Sequence, residues 1–137
     1  MYNKILCVDD DPITLMLCKK VIEKSDFSKQ IDTAHNGEDA IKYFDNLKNN
    51  LEKDKNIILP QLMFLDLNMP IMGGWEFLDI FSENKYHDFF PELKVIVLSS
   101  TIDPRDIEKS KSYSMVIDFL SKPITKEMLY SFSNNTQ

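Results

Sequence analysis

Three short runs of consecutive apolar residues, a fourth broken by Asp118, and one weaker run alternate along this chain with longer stretches in which apolar residues return every third or fourth position. The first run, Ile5-Leu6-Cys7-Val8, has no polar side to its alternation, the pattern of a parallel strand buried on both faces. It stops at Asp9-Asp10-Asp11-Pro12, where Asp11 reads as an N-cap and Pro12 as the first helical residue. Ile13, Met16, Leu17 and Val21 then recur at helical spacing to about Lys24, and they are the expected inward face of a first helix. A weaker strand, Gln30 to Ala34, leads into Asn36-Gly37-Glu38-Asp39, a turn followed by an acidic first helical turn. Ala40, Ile41, Phe44 and Leu47 line one side of that second helix, and the polar stretch from Lys48 to Asn56 is its solvated end and a loop.

The pattern repeats three more times. Leu62-Met63-Phe64-Leu65 is a third strand, closed by Asp66-Leu67-Asn68-Met69-Pro70. After Gly73-Gly74, a helix from about Trp75 is expected to turn Trp75, Leu78 and Phe81 inward. A polar-aromatic connection, Ser82 to Pro91, precedes a fourth strand at Val95-Ile96-Val97-Leu98 that ends in Ser99-Ser100. Asp103-Pro104 restarts a helix by the same aspartate-proline signal as Asp11-Pro12. Val116 to Leu120 is a fifth strand ending at Lys122-Pro123, and Thr125 caps a last helix with Met128, Leu129 and Phe132 as its apolar residues. Five β–α units in succession predict a doubly wound α/β fold, a parallel sheet with helices on both faces. In such a sheet ligands bind beyond the carboxyl ends of the strands.

Composition narrows the possibilities only modestly. A length of 137 residues suits one domain, and 43% hydrophobic with 28% charged residues is ordinary for a globular chain. The formal net charge of −6 argues against a nucleic-acid surface, which needs cations to neutralise phosphates. Arg105 is the only arginine, so no arginine cluster awaits a phosphate or carboxylate. Cys7 and Cys18 sit in apolar segments as small buried hydrophobes, without zinc-like spacing. There is no signal-peptide pattern and no apolar stretch near the roughly 20 residues that span a bilayer, so a cytoplasmic, reduced setting without membrane contact is expected.

The chemistry is concentrated at the strand ends. Strand one closes on Asp9 and Asp10, strand three on Asp66, strand four on Ser99 and strand five on Lys122, and a parallel sheet brings all of these to one edge. Carboxylates gathered there repel one another and raise each other's pKa unless a cation sits among them. A hard divalent ion with oxygen ligands, Mg2+ or Mn2+, answers that need, and the Asn68 backbone carbonyl offers one more oxygen. Such an ion also lets Asp66 act as a nucleophile toward phosphate, with Lys122, the Ser99 hydroxyl and a backbone N–H near Leu67 meeting the phosphoryl oxygens. Taken singly, Ser99 is a turn residue and Lys122 an exposed lysine; their weight comes from falling on successive strand ends. Asp11 and Asp103 are helix caps, and His35 and His87 have no role assigned.

Four segments in register resemble the receiver domain of two-component response regulators: Val8-Asp9-Asp10-Asp11-Pro12, Phe64-Leu65-Asp66-Leu67-Asn68-Met69-Pro70 with Gly73-Gly74, Leu98-Ser99-Ser100, and Phe119-Leu120-Ser121-Lys122-Pro123. The resemblance covers essentially the whole chain, residues 1–137, as a single chemotaxis-regulator-like domain with no output domain. It implies a flavodoxin-like five-stranded parallel sheet of order 2-1-3-4-5 flanked by five helices. By that likeness Asp66 is the phosphoacceptor, Asp10 a direct metal ligand, Asp9 a ligand acting largely through water, and Asn68 a ligand through its carbonyl. Ser99 and Lys122 would contact the phosphoryl group, Phe119 would stand at the switch-aromatic position without a phenol, and the Lys122-Pro123 bond is often cis in such domains. Ser100 replaces a commoner alanine or glycine, and Asn68 and Thr101 occupy positions that tune the phosphoryl lifetime. The implied partners are a histidine kinase or phosphotransfer protein as donor and a downstream protein on a face made by helix four, strand five and helix five. Lys109, Tyr113 and Met115 are candidates on that face. The connections at Lys48–Pro60 and Asn84–Pro91 read as surface variation. Two other classes fit less well. A haloacid dehalogenase-type phosphatase needs an acid two residues beyond its nucleophile, where this chain has Asn68. A flavin-binding flavodoxin needs donors for a phosphate where this chain has Asp9-Asp10-Asp11.

Overall fold

A computed structural model describes the backbone of residues 2–136 and the side chains of residues 2–131. The chain runs β1 (Ile5–Val8), α1 (Pro12–Lys24), β2 (Ile31–Ala34), α2 (Gly37–Lys53), β3 (Leu62–Asp66), α3 (Gly74–Glu83), a 3₁₀ turn (Tyr86–Asp88), β4 (Lys94–Ser99), α4 (Pro104–Ser110), β5 (Val116–Ser121) and α5 (Lys126–Thr136). The strands form one parallel sheet, as the alternating pattern predicts, in the order β2-β1-β3-β4-β5 that the resemblance implies.

The continuous apolar runs bury both faces of this sheet. Along β1, Leu6 and Val8 join one core with Met63 and Leu65 of β3, Ala40 and Phe44 of α2, and Phe77, Leu78 and Phe81 of α3. Ile5 and Cys7 point the other way, into a second core with Leu62, Phe64, Leu15, Cys18 and Ile22 of α1, and Leu129 of α5. Phe44 anchors the first core, its ring meeting Phe81 edge-on at 5.1 Å and Phe90 at 5.0 Å. Full burial of each such ring contributes about 1.5–3 kcal/mol.

The helix starts follow their sequence signals. Asp11 accepts from the Ile13 N–H at 3.0 Å, Asn36 from Asp39 at 2.8 Å, Asp103 from Arg105 at 2.9 Å and Thr125 from Met128 at 3.2 Å. Each bond satisfies a donor left over in the first helical turn.

Three readings change. On α1 the buried residues are Leu15, Cys18 and Ile22, with Val21 half-buried against the second core, while Ile13, Met16 and Leu17 are 63%, 47% and 44% exposed. Apolar residues surround most of this helix, so two faces satisfied the helical period and the sheet selected the other one. On α3, Phe77 is fully buried with Leu78 and Phe81, whereas Trp75 is only half-buried at the edge of the first core. The Asn84–Pro91 connection is not mere surface variation, because Tyr86 and Phe90 enter the core beside Phe81. Phe132 of α5 lies outside the residues whose side chains are described. Among the described residues no helix is long and apolar enough to cross a membrane.

Candidate functional site

The register of the sheet assembles the site. Val8 pairs with Leu65 across β1 and β3, so Asp9 and Asp66, one residue further on, leave the sheet side by side. Ser99 pairs with Ser121 across β4 and β5, and the Lys122 N–H donates to the Ser99 carbonyl at 2.8 Å. The strand ends named from the sequence, Asp9, Asp66, Ser99 and Lys122, therefore share one sheet edge, at and beside the switch point between β1 and β3.

Asp9, Asp10 and Asp66 each present a carboxylate oxygen within 4.8 Å of the others. Asp9 and Asp66 are buried, at 4% and 6% exposure, and Asp10 is exposed. Lys122 lies between the two buried carboxylates, donating to Asp9 at 2.6 Å and standing 3.2 Å from Asp66. Asp9 also accepts from the Asp11 N–H at 2.9 Å, which fixes its carboxylate from the loop side. The pairing of Lys122 with Asp9, shorter than that with Asp66, was not legible in the sequence.

Electrostatically, Asp66 is an awkward group for its surroundings. Burial pushes its carboxyl above the usual carboxylate range, and the Asp9 charge adds to the rise. Lys122 and the Asn68 N–H, which bonds to the Asp66 carboxylate, oppose that rise without cancelling it. Burial alone would lower the Lys122 amine, but its contacts with Asp9 and Asp66 reverse this and hold it above its ordinary value. Three hard oxygen donors with surplus negative charge suit a small divalent cation such as Mg2+ or Mn2+, and among the described residues no cysteine or histidine joins the group. On donor chemistry the residues fit such an ion.

The loop after β3 is shaped by close backbone approach. A Cβ on Gly74 would stand 2.5 Å from the Asp66 carbonyl oxygen and 3.0 Å from the Leu67 Cα. The Gly74 N–H donates to the Leu67 carbonyl at 3.0 Å, and the Gly37 N–H, at the start of α2, donates to the Met72 carbonyl at 2.8 Å. The loop is thus clamped between two helix starts, and Gly74 is a positioning residue for the Asp66 backbone. The Gly73-Gly74 pair was visible as a motif, but nothing in the sequence said what it abuts.

The remaining residues fall near the site without completing it. Ser99 is buried and its hydroxyl oxygen accepts from the Thr101 N–H at 3.3 Å. Asn68 is exposed, and Phe119 is half-buried, pairing with Val97 inside the sheet. The Lys122-Pro123 bond is cis. Lys109 and Tyr113 turn toward α3, where Lys109 lies over the Trp75 ring and Tyr113 bonds to Asp79, and Met115 packs on the first core.

Residues 5–133 match the family described as response regulator receiver domain. The fold superposes on a two-component response regulator from Cytophaga hutchinsonii with a TM-score of 0.82 and 30% identity, covering 98% of this chain and 96% of that one. A chemotaxis protein from Vibrio cholerae shares the fold at a TM-score of 0.70 and 20% identity over 100% of both chains. In sequence, the chain is 30% identical over 122 residues to a protein-glutamate methylesterase/protein-glutamine glutaminase from Halalkalibacterium halodurans. That alignment takes in 88% of this chain but spans only 30% of the relative's length.

Proposed function

Because the chain belongs to the response regulator receiver domain family, we propose that it is a phosphorelay switch in which Asp66 accepts a phosphoryl group from a phosphohistidine donor, a histidine kinase or a phosphotransfer protein. One observation carries this reading. Asp66 closes a fully buried central strand, faces two further carboxylates within 4.8 Å, and has a lysine 3.2 Å away. An isolated structural aspartate needs no such company.

In the transfer, an Asp66 carboxylate oxygen attacks phosphorus as the P–N bond to the donor imidazole breaks. The electron pair leaves with the imidazole and an acyl phosphate remains on Asp66. A magnesium or manganese ion held by Asp9, Asp10, Asp66 and the Asn68 carbonyl would supply neutralisation of the phosphoryl oxygens. Lys122 brings a point charge to one phosphoryl oxygen, and the buried Ser99 hydroxyl can donate to another. Asn68 cannot protonate a leaving group, so the acceptor acts stoichiometrically on itself rather than turning over an outside substrate.

Two exposed apolar regions fit the two partners. Ile13, Met16 and Leu17 rise on the first half of α1, beside the acidic loop, where a donor helix must lie to bring its histidine to Asp66. Ile117 of β5 and Tyr130 of α5 are exposed, with Phe119 half-buried, on the face made by α4, β5 and α5. That face suits a reader of Ser99 and Phe119 rearrangement. Lys109 and Tyr113 also contact α3, and Ile117, Phe119 and Tyr130 join them and Met115 as candidate contacts.

Acetyl phosphate with Mg2+ tests the assignment by intact mass and peptide mapping. The wild-type chain is expected to gain one phosphoryl group on Asp66. Asp66→Asn gains none, and Asp11→Ala, which loses only a helix cap, still gains one. Phosphorylation of Asp66→Asn at the same strand end would overturn the reading.

A further inference from the structure

The single tryptophan of the chain meets one residue of α4 and one of the turn that follows it. Trp75 follows Gly74, the residue that abuts the Asp66 carbonyl. Its ring stacks on Tyr113 with centroids 5.8 Å apart and planes 17° from parallel. Lys109, in the last turn of α4, places its ammonium 4.8 Å from the Trp75 ring centre. Tyr113, three residues beyond the end of α4, also donates its hydroxyl to Asp79 of α3 at 2.5 Å. Two residues of α3 therefore grip the end of α4 and the turn after it.

This grip matters because α4, which also contacts β5, is short and lightly buried. It is seven residues long, and Ser110 is its one buried residue. Its start hangs from the loop that carries Ser99, whose hydroxyl oxygen is turned to the Thr101 N–H. Its end is held by α3, whose first residue is tied to the backbone of Leu67, next to the nucleophile. One short helix thus connects the Ser99 loop at one end to the Asp66–Gly74 contact at the other.

We infer that Trp75 is a positioning residue for the phosphoacceptor site: with Lys109, Tyr113 and Asp79 it latches α4 in the arrangement that leaves Ser99 bonded to Thr101, and so opposes occupation of the Asp66 site. The inference rests on the receiver reading above. A phosphoryl group on Asp66 that engages Ser99 draws the β4–α4 loop toward the sheet edge and pulls α4 against the latch at its other end. Coupling is reciprocal, so what resists the movement of α4 also weakens binding at Asp66. Loosening the latch must then tighten the site.

The test uses beryllium fluoride with Mg2+ as a phosphoryl mimic, its affinity read from the amide shift of Leu67. Trp75→Leu is expected to bind the mimic about five- to tenfold more tightly than wild type, within the range of measured allosteric couplings. Lys109→Gln and Tyr113→Phe, which each remove a single contact from the surface, are expected to tighten it about two- to threefold, the scale of one exposed cation–π or hydrogen-bond contact. They carry the test if Trp75→Leu does not fold. A purely structural role for Trp75 would lower the thermal midpoint and leave the affinities unchanged, and that result, or weaker binding in all the variants, overturns the inference. Failure of the wild-type chain to bind the mimic, or equal binding by Asp66→Asn, would instead strike the receiver reading itself.

Discussion

Gly74→Ala is the sharpest probe of how the fold holds Asp66, the proposed phosphoacceptor. The new methyl would meet the Asp66 carbonyl oxygen at 2.5 Å, about 0.9 Å inside the 3.4 Å at which ordinary contact begins. No flexible side chain can yield, because the obstructing atoms are the backbone of Asp66 and the Cα of Leu67. On helix propensity alone alanine would stabilise the start of α3 by up to about 1 kcal/mol. Overpacking against backbone costs about 1–3 kcal/mol, so the clash wins and a net loss of roughly 1–2 kcal/mol is expected. For a domain of this size that lowers the thermal midpoint by roughly 3–10 °C.

The functional effect should exceed the stability effect. Relief of the clash moves the end of β3 by several tenths of an ångström relative to Asp9 and Lys122, and a 1 Å misplacement of reacting groups can slow a reaction about a hundredfold. Phosphoryl uptake from acetyl phosphate, followed by intact mass against time, is therefore expected to fall about 10- to 100-fold while circular dichroism stays native. Gly73→Ala is the internal control. Its methyl would meet the Leu67 carbonyl at 2.8 Å rather than any atom of Asp66, so it should cost comparable stability and less uptake. A Gly74→Ala protein as stable as wild type, or one destabilised yet phosphorylated at the wild-type rate, would refute the link between this contact and the placement of Asp66.

Two further outcomes follow from local geometry. Ile71 has φ of 69°, is 75% exposed, and sits at the centre of a three-residue turn in which the Met72 N–H donates to the Pro70 carbonyl at 2.7 Å. A β-branched residue is strained in that region of φ, so Ile71→Asn should raise stability by about 1 kcal/mol, and a lower urea midpoint at unchanged slope would contradict this. At alkaline pH, burial and then the hydrogen bonds to Asp45 and Asp79 push the Tyr86 and Tyr113 hydroxyls up to about 12. The unfolded chain releases those protons near pH 10, before the folded one does, so the stability contributed by the neutral phenols is complete below about pH 10 and is lost as pH rises through 12. Urea midpoints should fall over that window and fall less in Tyr86→Phe; a flat profile would show that neither phenol is held by the fold.

The strand ends were legible from sequence and the helix faces were not, for a physical reason. A strand buried on both faces, as β1 and β3 are, is apolar along its run, so an aspartate marks where the run leaves the sheet; the more exposed β5 accepts Asp118 mid-strand, and there Lys122-Pro123 marks the end. Asp9, Asp66, Ser99 and Lys122 announced both the strand ends and the edge they share. Helix starts were equally plain, because Asp11, Asn36, Asp103 and Thr125 each bond to a donor two or three residues along, well within a sequence window. A helix face is different. On α1 the set Ile13, Met16, Leu17 and the set Leu15, Cys18, Ile22 both keep the helical period, and only the rotation at which the helix meets β1 and β3 decides between them. The same holds for contacts between distant elements. Trp75 was recognisable as apolar, but its partners Lys109 and Tyr113 come from a helix and turn whose position depends on the whole sheet. Local rules find groups that must stand where burial ends, and so they found the residues that gather at this sheet edge. The couplings between its elements arise when two surfaces, each locally satisfied, are brought together, which is why the α3–α4 latch emerged only from the folded chain.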